Sequence, residues 1–240
     1  ITNVIAMFTP NAIGTLNQVV SNNLKVYLPL IEKKDSLGSN DNLIFGSISD
    51  EDQLNKLSYY SDGPNVLFYQ NTYLGNKLKN SYENVVSYTT ARKEIKSGET
   101  NFKNIVVDSR LRNSSIFLNV DIVKSSLIMS QLRANDIYPK FIFSTQINFD
   151  PMLMTLTQDK DREKMVLANS IEKIDNKLRD EILNFGGNIN FEWVDYSTLV
   201  GANYLVNGNN NLIPTKIVEN QAVYTPRLFK STEYGFVEIK

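Results

Sequence analysis

The sequence predicts an α/β fold of doubly wound parallel sheets arranged in two lobes. Three observations carry that expectation. Between Asn65 and Gln146 one unit recurs three times: an apolar strand, a polar turn and a helix-like stretch. Its strands, Asn65–Gln70, Ser114–Val120 and Pro139–Gln146, are nearly unbroken apolar runs, as parallel strands covered on both faces require. Each run ends in small or polar residues at its carboxyl end, where open parallel sheets hold their ligands.

The elements follow in order. Asn3 to Thr9 reads as a buried strand, and Pro10-Asn-Ala opens a helix running to about Asn22. Proline is tolerated there because the first helical N–H groups lack partners anyway. Leu24 to Leu30 is a second strand, closed by Pro29. Lys33 to Asn42 is a polar loop and Leu43 to Ile48 a short third strand. Ser49 and Asp52 resemble a capping box before the periodic Leu54, Leu57 and Tyr60. After strand 65–70, Leu74, Leu78 and Tyr82 predict a helix over 72–83, and Asn84 to Thr89 reads as a strand. Thr100 to Leu111 looks helical. Asp121 is placed to cap a helix reaching Asn135. Met152 to Leu156 is short and apolar, and Lys164 to Asn169 is a strand. Ile174 to Asn184 is a helix stopped by Gly186-Gly187, and Phe191 to Val206 is another, stopped at Asn207-Gly208. Gln221 to Thr225 and Tyr234 to Ile239 predict a C-terminal β-hairpin turning near Ser231. Such alternation means a doubly wound sheet, with residues 46–50 as the crossover between lobes.

Composition narrows the function. The chain has 240 residues, 25 basic and 26 acidic, for a net charge of −1. No basic stripe is present to track phosphates, so nucleic acid is not an expected partner. No apolar run approaches the roughly 20 residues of a membrane span. The chain has no cysteine and no histidine, which excludes thiol nucleophiles, disulfides and His-based triads. Neither a GxGxxG nor a GxxxxGK[ST] loop occurs, and no cofactor is expected. No nucleophile–base arrangement suggests an enzyme. The chain opens at Ile1, and we expect a processed product whose signal peptide has been removed.

The candidate ligand-binding residues are Thr9, Asn11, Asn71, Tyr73, Asn119, Asp121 and Gln146, all at carboxyl ends of expected strands. Side chains there, with helix N-termini behind them, bind carboxylates and amines, although Ser, Thr, Asn and Asp are also good helix caps. Asp159 to Glu163 reads as a solvated loop of alternating charge. Trp193, Tyr196 and Tyr204 read as packing aromatics more readily than as a sugar platform. The asparagines at 207, 209, 210 and 211 read as base composition.

The run Tyr69-Gln-Asn-Thr-Tyr-Leu-Gly-Asn-Lys-Leu78 resembles the D-x-x-x-Y-G-x-x-L segment of type I periplasmic binding proteins, the Leu/Ile/Val-binding family. Ser114 to Asp121 and Ile137 to Ser144 are similar to that family's next βαβ unit, and Asn3 to Pro29 to the later part of its first lobe. Penicillin-binding-protein activators carry a similar domain. The resemblance implies two lobes and a hinge, the first lobe incomplete: residues 1–48 with part of 190–220 returning to it, 49–190 as second lobe, and 212–240 as hairpin region. It implies a periplasmic or cell-envelope protein that holds a small polar ligand, such as an amino acid, between lobes and delivers it to an ABC-type membrane transporter. Tyr73 would pack on the ligand, Thr9 and Asn11 would bond it from the first lobe, and Gln146 would face them. The alternative is a ligand-free interaction or regulatory module of the bacterial envelope, engaged with an envelope protein of cell-wall synthesis.

Overall fold

The computed structural model describes residues 1–36, 38, 40–209 and 212–239; of the polar loop at 33–42 and the asparagine run at 207–211, positions 37, 39, 210 and 211 lie outside the described residues. The chain forms two compact units, Ile1–Ser49 with Ser170–Thr225, and Asp50–Asn169 with Pro226–Lys240. No helix among the described residues is long and apolar enough to cross a membrane.

The first stretch lays down β1 (Asn3–Ile5), α1 (Ile13–Val19), β2 (Lys25–Leu28) and β3 (Leu43–Phe45). Pro10 sits in a 3-10 turn, Pro10–Ala12, that leads into α1. The larger unit begins with α2 (Asp50–Ser58), whose first turn carries Asp50, Glu51 and Asp52, the sign that suits the positive end of a helix. It continues with β4 (Asn65–Gln70), α3 (Tyr73–Val85), β5 (Ala91–Ile95), α4 (Lys103–Val106), β6 (Ser115–Asn119), α5 (Ile122–Ala134), β7 (Phe141–Ser144), α6 (Met152–Leu156) and β8 (Met165–Asn169). The chain returns to the smaller unit with α7 (Asn176–Asn184), α8 (Trp193–Asn207), β9 (Lys216–Val218) and β10 (Gln221–Val223). It ends in the larger unit with β11 (Arg227–Thr232) and β12 (Gly235–Ile239).

The smaller unit's sheet runs β1-β2-β3-β10-β9, parallel except for β9. The larger unit's sheet runs β12-β11-β8-β7-β6-β4-β5. Its five strands from β8 to β5 are parallel, and β11 and β12 add antiparallel at one edge. Both sheets are therefore parallel-dominated and flanked by helices, as the apolar runs predict. The three repeated strands sit side by side as β4, β6 and β7. Their Leu67, Phe117 and Phe143 meet Leu54 and Tyr82 in one core, with Tyr82 edge-on to Phe117 at 4.9 Å.

Several expectations are corrected. The strand expected at 84–89 is not one: α3 continues to Val85, because Tyr82 and Val85 stay on the helix face that covers the sheet. The strand comes later, at Ala91–Ile95. It is an edge strand of alternating burial, Ala-Arg-Lys-Glu-Ile, so no apolar run marks it. The helix expected over 100–111 shrinks to α4 and a 3-10 turn, since extended Asp108 caps Arg110 N at 3.0 Å and starts a new turn. The C-terminal hairpin exists, but its arms are β11 and β12 and its turn is at Glu233-Tyr234. Residues 221–223 pair instead with β9 and β3. Arg162, expected in a solvated loop, is 3% exposed. Its guanidinium donates to Thr157 O at 2.9 Å and Thr232 O at 3.1 Å, tying α6 to the hairpin.

The core of the smaller unit turns on Tyr27 of β2. This ring is fully buried, and burial pushes its phenol up to about 12. Its hydroxyl lies 3.3 Å from Ser197 Oγ of α8. Ser197 and Tyr224 hydroxyls both donate to the Gly46 carbonyl, at 2.7 and 2.6 Å. The ring fits because two neighbours are glycine. A Cβ on Gly46 would stand 2.2 Å from the Tyr27 hydroxyl oxygen, and one on Gly201 of α8 2.2 Å from its Cδ1. Tyr196 is buried beside this cluster, with Trp193 and Tyr204 packed against it, as the aromatic spacing predicts.

Candidate functional site

The larger unit brings polar side chains together at the carboxyl ends of β4 and β6. The parallel register sets Tyr69 of β4 against Asn119 of β6, so Gln70 and Asp121 emerge as neighbours just beyond the sheet. Gln70 grips Asp121 twice: its amide Nε2 donates to Oδ2 at 2.9 Å, and its Oε1 accepts from Asp121 N at 2.7 Å. Asp121 in turn caps α5, accepting from Lys124 N at 2.9 Å and from Lys124 Nζ at 3.1 Å. Burial pushes its carboxyl up, but the bonds from Lys124 and Gln70 outweigh that and hold it below the usual carboxylate range. It is a fixed anion with its charge already answered.

The opposite wall is the first turn of α3. Thr72 caps it, accepting from Gly75 N at 3.1 Å. Gly75 is obligatory in this geometry, because a Cβ there would lie 2.2 Å from the Gln70 carbonyl oxygen. This close approach seats the helix N-terminus directly over the end of β4. Between these walls is a cleft of about 220 Å³. Gln70, Thr72, Asn119 and Asp121 supply its polar lining, and Leu74, Leu78, Ile122 and Ile147 its apolar lining.

Asn119 is the unusual member. It is 1% exposed, and its Nδ2 donates to Leu78 O at 3.2 Å, which fixes the orientation of the amide. Its Oδ1 is buried with no hydrogen-bond partner. Such an acceptor costs about 1–3 kcal/mol. The loop behind is rigid: Asn148 Nδ2 lies within 3.1 Å of Val120 O, Ser125 Oγ and Ser144 Oγ. The Asn148 Oδ1 and Thr145 Oγ1 atoms are also buried without partners, so this end of the sheet holds three unanswered polar atoms.

Of the candidate residues, Asn119 and Asp121 line the cleft. Asn71 and Tyr73 flank it without lining it: Asn71 Oδ1 accepts from Asn76 Nδ2 at 3.1 Å, and Tyr73, which opens α3, is 67% exposed. Gln146 is buried just beyond β7; its Oε1 accepts from Gln53 Nε2 of α2 at 2.8 Å and its backbone N–H donates to Gln53 Oε1 at 3.0 Å. Thr9 and Asn11 are exposed residues of the smaller unit, at the carboxyl end of β1. Gln70, Thr72 and Gly75 were not among the candidates. Gln70 ends an apolar strand like the other strand-end residues, and its position was the available signal. No helix or strand pattern marks Gly75, whose role is a backbone approach. No cluster of acidic side chains among the described residues could hold a metal ion.

No family model matches the chain, and no curated protein matches it. Solved structures do. The leucine-binding protein LivK of Thermotoga maritima superposes with a TM-score of 0.71 at 12% identity, covering 100% of this chain and 79% of that one. A branched-chain amino acid ABC transporter protein of Thermus thermophilus with bound valine gives 0.75 at 11%, covering 99% and 76%. LpoA of Haemophilus influenzae gives 0.64 at 8%; there the whole of this chain spans 48% of the other. The two parallel-dominated sheets, with all of the chain matched onto these structures, assign it the type I periplasmic binding protein fold.

Proposed function

We propose that this chain is a binding module of the solute-receptor kind that takes a small polar ligand, an amino acid or a molecule of similar size, at the cleft over β4 and β6. The observation that carries the reading is Asn119: a buried acceptor with no partner, in a cleft whose other polar groups are already satisfied. A ligand N–H or O–H would answer it. Leu74, Leu78, Ile122 and Ile147 would cover an aliphatic body beside that donor. Leucine and valine, which the similar structures name, combine those two features. In this reading the module works in the periplasm or cell envelope and hands its ligand to a membrane transporter; it performs no reaction.

The test is thermal unfolding against a panel of amino acids, their amides and short peptides. A ligand at 100 times its Kd adds about 2.7 kcal/mol, which for a chain of this size raises Tm by roughly 5–11 °C. Asn119→Leu removes the acceptor and should abolish the shift. A panel that moves nothing, or a shift that survives Asn119→Leu, refutes the reading. The second reading, an envelope interaction module that reuses the fold without a ligand, is favoured by Gln146, whose side-chain oxygen and backbone N–H are both bonded to Gln53, and by the likeness to LpoA. A flat panel supports it.

A further inference from the structure

The amino end of the larger unit's sheet, opposite the cleft, carries a second concave feature. The end of α5 and the starts of β7 and β8 enclose a socket of about 60 Å³. Its floor is Met129, Leu132, Ile137 and Ile142, and its wall is Arg133 and Tyr138. A dry 150 Å³ cavity holds a benzene ring, so this smaller open socket seats a group of about three carbons better than an aromatic ring. The wall is built before anything binds. Arg133 lies over the Tyr138 ring at 5.4 Å. The Tyr138 hydroxyl donates to Asp136 Oδ1 at 3.0 Å, and Arg112 donates to Asp136 O at 2.8 Å. Asn113 N donates to Tyr138 O at 3.1 Å. Asp136 and Asn113 both hold left-handed backbone, at φ 54° and 55°. These bonds hold a backbone conformation that few residues adopt and fix the shape of the socket.

The charges around it are uneven. Glu163 answers Arg133 at 3.9 Å and Lys164 at 3.2 Å, and Asp161 accepts from Ser130. Lys160 on the rim has no ion-pair partner among the described residues. Along the same end of the sheet, Tyr60, before β4, and Tyr88, before β5, are 39% and 70% exposed, and Tyr138 is 50% exposed. Exposed tyrosines around a small anchor pocket are the anatomy of protein–protein contacts. The surrounding charges are largely neutralised in place, which offers little to a polyanion.

We propose that this face docks a protein partner that inserts a short aliphatic side chain into the socket, with a neighbouring carboxylate on Lys160. The inference stands apart from ligand binding at the cleft. Methyl-labelled NMR of the full chain tests it, following Met129, Leu132, Ile137 and Ile142 during titration with capped dipeptides. Acetyl-Val-Asp-amide should move these methyls. Acetyl-Val-Lys-amide should bind about two- to fivefold more weakly, as expected for an exposed charge pair, and acetyl-Phe-Asp-amide should leave them in place. Lys160→Glu should reverse the Asp–Lys preference, with circular dichroism showing that the variant keeps its fold. The proposal is overturned if no peptide moves the methyls, if the Phe peptide moves them as strongly as the Val peptide, or if Lys160→Glu leaves the preference intact. It is overturned too if protein concentration alone produces the shifts, since the occupant is then a second copy.

Discussion

Gly201→Ala and Gly14→Ala are the same chemical change in two helices of the smaller unit, and they should have opposite signs. In a helix, alanine is favoured over glycine by roughly 0.5–1 kcal/mol. At Gly14, in the first turn of α1, nothing lies within 4 Å of the added Cβ, so no contact opposes the gain. At Gly201 of α8 the Cβ would meet the Tyr27 ring at 2.2, 2.4 and 2.5 Å. The ring is fully buried, and its far side abuts Gly46, where a Cβ would stand 2.2 Å from the hydroxyl. It has no room to yield. Overpacking of this kind costs about 1–3 kcal/mol, which exceeds the propensity gain, and the sign turns.

Both sites report on the unfolding of the same unit, so circular dichroism melts compare directly. At roughly 2–4 °C per kcal/mol, Gly14→Ala should raise Tm by about 1–4 °C, and Gly201→Ala should lower it by up to about 10 °C. The cause is checked in a Tyr27→Ala background. That variant is itself destabilised by about 3–5 kcal/mol, but on it Gly201→Ala should become stabilising. A Gly201→Ala protein more stable than wild type, or a penalty that persists without the ring, refutes the argument.

Three other outcomes are expected. Gly75→Ala should cost about 1–3 kcal/mol and weaken ligand binding together with stability, because its Cβ would strike the Gln70 backbone; melts with and without ligand read both. Asn119→Leu should be neutral or stabilising in the absence of ligand, since it removes an unpartnered buried acceptor, and a loss above about 2 kcal/mol in urea titrations would show that its bond to Leu78 matters more. Stability should fall as pH rises from about 10 to 12. Burial pushes Tyr27 and Tyr82 up to about 12, so above pH 10 the unfolded chain ionises phenols that the folded chain keeps protonated; Tyr27→Phe and Tyr82→Phe should each reduce that slope in urea titrations across pH 9–12.

What the sequence discloses and what it hides divide along a physical line. A parallel strand covered on both faces must be apolar throughout, so β4, β6 and β7 announce themselves, and with them the carboxyl ends where Asn119 and Asp121 lie. An edge strand needs only one covered face, so β5 passes as loop, and the residues at 84–89 before it, the end of α3 and the turn that follows, are mistaken for a strand. Contacts set by the absence of a side chain leave no pattern at all. Gly75, Gly46 and Gly201 read as three ordinary glycines, yet each marks a place where backbone or ring comes closer than a Cβ allows. The same holds for pairings remote in sequence. Gln146 has the right residue type at the right strand end, but Gln53, 93 positions earlier, donates to its carboxamide oxygen, while Gln70 orients Asp121. Strand ends can therefore be located from local pattern, because burial acts residue by residue. Which polar atom lacks a partner is decided by long-range hydrogen bonds, and among the residues lining this cleft it is Asn119 Oδ1.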